Sequence, residues 1–253
     1  MTRERTILLG AVGILAALLL WQTLVALGWL NPVVVPSPST VLSAAVQEIS
    51  DGTLGAAFYT TLVQFVLAFA GAAVLGTIAG FFIGWYRTVE YVADPYIWFF
   101  YSTPLIAFYP VLVIWFGLGF KTAVILGFLL SVVPVLINTA TGVKSAPPTL
   151  VRAARSFGAT RTQLATKVVL PHAMPLILTG WRIAVERALI GVVVGEMFSS
   201  NAGLGFRISY YGSQLLTAEL FVPILAATLL GLIATQVLRA WENRALQRVA
   251  PPS

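Results

Sequence analysis

Three ionisable residues fall in the interior of one long apolar stretch, Met174 to Met197: Arg182, Glu186 and Arg187, with a fourth, Glu196, near its end. Ionisable groups in hydrocarbon are costly, so each is a functional candidate by default. Arg182 and Glu186 are spaced i,i+4 and can pair along one helix face, either as a self-neutralising structural pair or as a contact for a solute. Arg187 shares a stripe with Gly180, Ala184, Gly191 and Gly195 at steps of three or four. Small stripes let helices approach closely, so an arginine among them faces protein or a pore rather than lipid. Its guanidinium offers forked donors to an oxyanion in transit, or to a neighbouring carbonyl, and the sequence leaves both open.

Other polar residues in apolar stretches point the same way with less force. Asn138 and Ser131 could line a path or bond between helices, and Tyr109 and Trp115 could narrow a pore or anchor packing. Glu196 lies beside the run Ser199 to Gly203, a candidate surface for an external partner. His172 is the one histidine and cysteine is absent. No Ser/His/Asp set, no metal-ligand set and no Gly-x-x-x-x-Gly-Lys-Ser/Thr phosphate loop is present, so the chain performs no covalent chemistry and does not hydrolyse ATP by itself.

The elements that hold these residues must be membrane helices. Of 253 residues, 58% are hydrophobic and 9% charged, against about 25% charged in soluble domains. The net charge of +6 would suit nucleic acid if gathered on one soluble face. Here the basic residues instead flank apolar runs, which argues for lipid and against nucleic acid. A hydrocarbon core takes roughly 20 apolar helical residues to cross. Six spans are expected: Ile7–Leu27, Phe58–Trp85, Tyr96–Phe116 (broken by Pro104 and Pro110), Thr122–Thr141, Met174–Met197 and Phe221–Leu238. The first is longer than the core of a secretory signal and lacks a small-x-small site after it, so it reads as a retained helix. Ser39 or Thr40 is expected to cap a short amphipathic helix to about Ser50, Arg87 to Asp94 to form a polar turn, and Ser199–Glu219 a loop. Gly76, Gly80 and Gly84 make a second small stripe, for helix packing or a dimer seam.

With the N-terminus inside, Arg3, Arg5, Arg87, Lys144, Arg152, Arg155, Arg161, Lys167, Arg239, Arg244 and Arg248 are cytoplasmic, eleven of the fifteen Lys and Arg, against Lys121 and Arg207 outside. That bias places both termini and the polar stretch 144–171 in the cytoplasm. Within the stretch, Pro147 and Pro148 suit a helix start, Thr149 to Phe157 is helical in character, and Gly158 can end that helix. Thr160 can cap a second helix that Pro171 stops after Leu170.

This segment resembles the EAA loop of ABC importer permeases: Glu-Ala-Ala, three residues, Gly, nine residues, an aliphatic residue, any residue, then Leu-Pro. Ala153, Ala154, Gly158, Val168, Leu170 and Pro171 stand at the matching positions, and Arg152 replaces the glutamate. Pro104, Ala107, Pro110 and Trp115 to Gly119 resemble the nitrate/sulfonate/taurine branch, as do Pro134, Asn138, Thr139, Gly142, Arg182, Arg187, Glu196 and Gly203 to Gly205. The likeness implies an all-α integral membrane protein of one domain, a type I (MetI-like) importer permease in the bacterial inner membrane. It implies that Arg152, Ala153, Ala154, Arg155, Gly158, Leu170 and Pro171 couple it to a pair of ATP-binding subunits, which bind ATP and Mg while this chain holds no cofactor. A second copy of the chain and a periplasmic or lipid-anchored solute-binding protein complete the expected assembly. Arg187, Glu186, Arg182, Asn138 and Tyr109 are the candidates for the pathway of a small anion such as a sulfonate, taurine or nitrate. A heterocycle such as a thiamine precursor, or ion-coupled transport without an ATPase, are the alternatives.

Overall fold

The computed structural model describes residues 3–199 and 201–247; Thr2, Ser200 and Arg248 lie outside them, and the side chains of Arg3, Arg5, Ser199 and Arg244 are not described. All elements among the described residues are helices: α1 (Arg3–Ala26), α2 (Pro38–Ser50), α3 (Thr53–Trp85), α4 (Arg87–Ser102), α5 (Tyr109–Phe116), α6 (Phe120–Lys144), α7 (Pro148–Ser156), α8 (Arg161–Leu164), α9 (Leu170–Ser199), α10 (Leu204–Ser213) and α11 (Thr217–Gln247). A 3₁₀ turn, Leu105–Phe108, joins α4 to α5, and a π-turn, Ala165–Val169, joins α8 to α9.

Among the described residues, Thr53–Trp85, Phe120–Lys144 and Thr217–Glu242 are long and apolar enough to cross a membrane, and α4 with Leu105–Phe116 makes a fourth candidate bent by 87°. Helix α9 runs 30 residues but carries Arg182, Glu186 and Arg187. In α1 the apolar stretch is Val12–Ala26. The expected break in the third span therefore falls at Thr103–Pro104, while Pro110 opens α5. There a proline needs no amide partner and its fixed φ suits a helix start.

The centre is a slab of α3, α6 and α9, with α6 in the middle and the most extensive packing in the chain on both its sides. Small residues make it possible. A Cβ on Gly80 would lie 2.6 Å from the Leu136 carbonyl, and one on Gly84 2.6 Å from that of Ala140. On the other side a Cβ on Gly191 would lie 2.6 Å from Gly127 Cα, and one on Gly195 2.7 Å from Ala123 Cα. The Gly76–Gly80–Gly84 stripe is thus occupied inside the chain by α6, and is not a dimer seam. Ala68, Ala188 and Val192 are buried with Phe65 and Val185 in the same contact.

Several boundaries differ from the sequence reading. Ser37, not Ser39 or Thr40, caps α2 through the Thr40 amide. Residues Arg87 to Asp94 are the first turns of α4 rather than a turn, since nothing in that run before Pro95 opposes a helix. The stretch Ser199–Glu219 holds a helix, α10, and the start of α11. Pro171 does not stop a helix. The Leu170 amide bonds five residues back to Ala165, and this widened turn lets the chain pass Pro171 into α9 without an α-helical bond from the amide that proline lacks.

Close approach makes the slab intolerant of added volume. Gly191→Ala should lower the thermal denaturation midpoint of the detergent-purified protein, at a cost of about 1–3 kcal/mol for overpacking. Gly55→Ala, where a Cβ would meet nothing within 4 Å, should leave it unchanged or raise it.

Candidate coupling surface and translocation pathway

Helices α7 and α8 form a two-helix handle at one end of the slab. Gly158 turns the chain between them at φ +78, a left-handed conformation that side chains disfavour. Thr160 then opens α8 with a reciprocal cap: its hydroxyl accepts from the Gln163 amide, and the Gln163 side chain accepts from the Thr160 amide at 2.8 Å. Arg152, Ala153 and Arg155 are exposed and Ala154 is half-buried. Phe157 is 92% exposed, a large apolar ring with almost no cover. Sequence reasoning misses Phe157, although an aromatic just before the helix-ending glycine is visible there. On the slab side, Arg155 and Arg161 line a cleft of about 560 Å³ with Trp85 and the ion pair Glu90–Lys144, whose atoms lie 2.8 Å apart. Leu170 and Pro171 are half-buried at the root of α9, and His172 beside them is exposed.

The arginines of α9 have different fates. Arg182 does not pair with Glu186. Its guanidinium pairs with Glu242 on α11, beside the stacked rings of Trp181 and Trp241, 5.4 Å apart. Glu186 is exposed on the helix. Arg187 forms no ion pair or hydrogen bond among the described residues. It lines a chamber of about 460 Å³ between α4, α6 and α9, with Trp98, Phe100, Tyr101, Pro134 and Asn138 among its walls. Asn138 donates its side-chain amide to the Pro134 carbonyl of its own helix at 2.8 Å, so it bonds within α6 while bordering the chamber. Ser131 likewise bonds its own helix, at the Gly127 carbonyl. Tyr109 is buried with Leu112 and Leu126 against the Phe198 ring and does not line the chamber. Trp115 is 71% exposed.

The sequence matches the family described as binding-protein-dependent transport system inner membrane component over residues 72–250. The chain belongs to that family. It is 32% identical over 249 residues to the taurine transport system permease protein TauC of Escherichia coli, covering 96% of this chain and 90% of that protein. It is 28% identical to the putative aliphatic sulfonates permease SsuC of Bacillus subtilis (90% and 83% covered). Identity to the formylaminopyrimidine permease ThiX of Halalkalibacterium halodurans is 30% (84% and 85%). The fold resembles the inward-facing MetNI methionine ABC transporter, with TM-score 0.59 at 20% identity, covering 76% of this chain and 94% of that one. An amino acid ABC transporter gives TM-score 0.57 at 20% identity, covering 80% and 97%. The chain is therefore a permease subunit of an ABC importer, a non-catalytic membrane component of the nitrate/sulfonate/taurine branch.

At the end of the permease opposite the handle, Glu196 is not at the surface: it is fully buried. The Thr61 hydroxyl of α3 lies 2.8 and 2.9 Å from its two oxygens, and the Gly205 amide of α10 donates to it at 2.8 Å. The Leu204 amide donates to Thr61 in turn. A side chain at Gly203, where φ is +100, would overlap the carboxylate, and one at Gly205 would overlap the Val193 carbonyl. This knot joins three helices through one acid. The signal for it in the sequence is a glutamate ending an apolar run just before Gly203-Leu-Gly205.

A second buried acid of the permease, Glu48 on α2, faces Tyr211 and Arg207 of α10. Burial raises its pKa above 4.5; Tyr211 and Arg207 of α10 oppose the rise, and Glu219 of α11 adds to it.

Thr61→Val removes both a donor to Glu196 and an acceptor for Leu204. It should cost about 1–3 kcal/mol in thermal denaturation, the penalty for stranding buried polar groups. Glu48 holds its proton more tightly when folded, so its contribution to stability is present at low pH and declines as pH climbs from 4.5 through the raised folded value. Glu48→Gln should flatten that decline and unfold at a higher temperature than the parent at about pH 8, as read by denaturation midpoints across pH.

Proposed function

We propose that the permease works as a homodimer that imports a small organic oxyanion of the sulfonate type, with the handle α7–α8 docked in a cleft of a separate ATP-binding subunit. The observation that carries the coupling role is the uncovered handle: Phe157, Arg152 and Ala153 face outward at the end of α7. Exposed apolar surface rimmed by polar residues marks a partner site. Small residues at Ala153 and Ala154 allow close approach by the partner, which supplies the ATP and Mg sites. Arg152, where the loop motif has glutamate, calls for an acidic group on that partner.

The basic residues gathered around the handle support its placement in the cytoplasm together with both termini. The Glu196 knot and α10 then lie at the periplasmic end, where a solute-binding protein delivers its cargo. Helix α1 supports a second copy. Its contacts with its own chain include Gln22 with Ser39, 3.2 Å apart, and the Trp21–Phe221 ring contact, and it leaves Ile14, Leu15 and Leu19 uncovered for lipid or a second protomer. The taurine and sulfonate names of the relatives, together with Arg187, which has no partner among the described residues, favour an anion. The likeness to ThiX and the aromatic walls of the chamber support a heterocycle as the second reading.

The coupling role is tested in proteoliposomes holding the permease, its ATPase and its binding protein. Phe157→Asp and Arg152→Glu should each lower ATP-driven uptake at least tenfold and weaken co-purification of the ATPase, with the permease itself still folded. Uptake at the parent rate in both variants would remove the handle from the mechanism.

A further inference from the structure

We infer that the chamber beside Arg187 is a substrate subsite within the membrane, where a small organic oxyanion is held by the Arg187 guanidinium during passage. This rests on the importer reading above and adds where, and by which group, the permease itself recognises its cargo. Four observations converge on it. The chamber, about 460 Å³, falls within the range of small-molecule sites. Among the described residues Arg187 is the one charged residue lining it and that cation has no partner, while Arg182, little more than one turn away, is neutralised by Glu242. An unneutralised cation in a membrane protein is retained where water or a ligand reaches it. Finally, the chain breaks at this place: Thr103 and Leu105, either side of Pro104, both line the chamber, at the 87° bend between α4 and the following helices. Interrupted spans are tolerated where they border a cavity.

The chemistry of the walls defines the ligand class. A guanidinium presents a planar fork of N–H donors that matches sulfonate, carboxylate or nitrate oxygens. Trp98, Phe100 and Tyr101 offer apolar and aromatic surface for a short organic tail. Among the described residues no acid lines the chamber, so a cationic solute finds no counter-charge there. A single cation also suits transit, since a pathway must bind its cargo firmly enough to admit it and weakly enough to release it.

The test uses the complete transporter in proteoliposomes, with radiolabelled taurine and methanesulfonate as probes. Arg187→Gln should lower uptake of the oxyanion the parent carries at least tenfold, while ATP hydrolysis stimulated by the binding protein stays within twofold of the parent. Arg187→Lys, which keeps the charge but not the fork, should fall between. Uptake by Arg187→Gln within twofold of the parent overturns the subsite. So does a parallel loss of uptake and ATP hydrolysis in both variants, which would make Arg187 structural. Parent vesicles that import neither probe refute the oxyanion assignment itself, whatever Arg187 does.

Discussion

The approach of α3 and α9 to the two sides of α6 is the contact on which the rest of the permease depends. In lipid no hydrophobic force drives one apolar helix against another, so association rests on how closely backbones can meet. Here they meet through glycine and alanine on both sides of α6, with Gly127 against Gly191 among the tightest points. The small residues fix the distance, the depth and the rotation of all three helices at once. Everything with a candidate role hangs on that slab: the handle at one end, the Glu196 knot at the other, and Arg187 on the flank that faces α4.

Continuity through the π-turn gives α9 a special position. Because Ala165–Val169 leads straight into Leu170–Ser199, the handle and the arginine share one nearly unbroken helical path. A push on α7 and α8 in the proposed importer would reach α9 without passing through a flexible linker. At the far end the same helix is tied by Glu196 to Thr61 on α3 and Gly205 on α10. Helix α9 thus carries a charged chamber wall and a three-helix knot, and continues through the π-turn into α8 of the handle.

Much of this is legible in the sequence, because composition and long apolar runs are local signals. The family, the handle, the Gly158 bend and the Thr160 cap all follow from residue types at fixed offsets. What is not legible depends on which distant element lies across from a residue. The i,i+4 spacing of Arg182 and Glu186 allows a pair, but Glu242, sixty residues further on, takes the arginine because α11 packs beside α9. The glycines at 76, 80 and 84 announce close packing without saying against what. Helix α10 is hidden because a short amphipathic helix between spans has the polar content of a loop. Pro171 looks like a stop because proline rules describe α-helices, and a π-turn evades them.

The two arginines of α9 separate structure from function most sharply. Both are costly to remove from water, and pairing is the usual remedy: Arg182 takes it, with Glu242 and the flanking tryptophans closing around the pair. Such an ion pair holds α9 to α11 and offers little to a passing anion, because its charge is already answered. Arg187, five residues on, faces a chamber bounded by a broken helix and aromatic side chains, with no acid among its walls. Arg187 is exposed at the chamber, so water or a solute can reach its charge. That difference is what the proposed subsite rests on: Arg182 is tied to α11, and Arg187 faces the chamber.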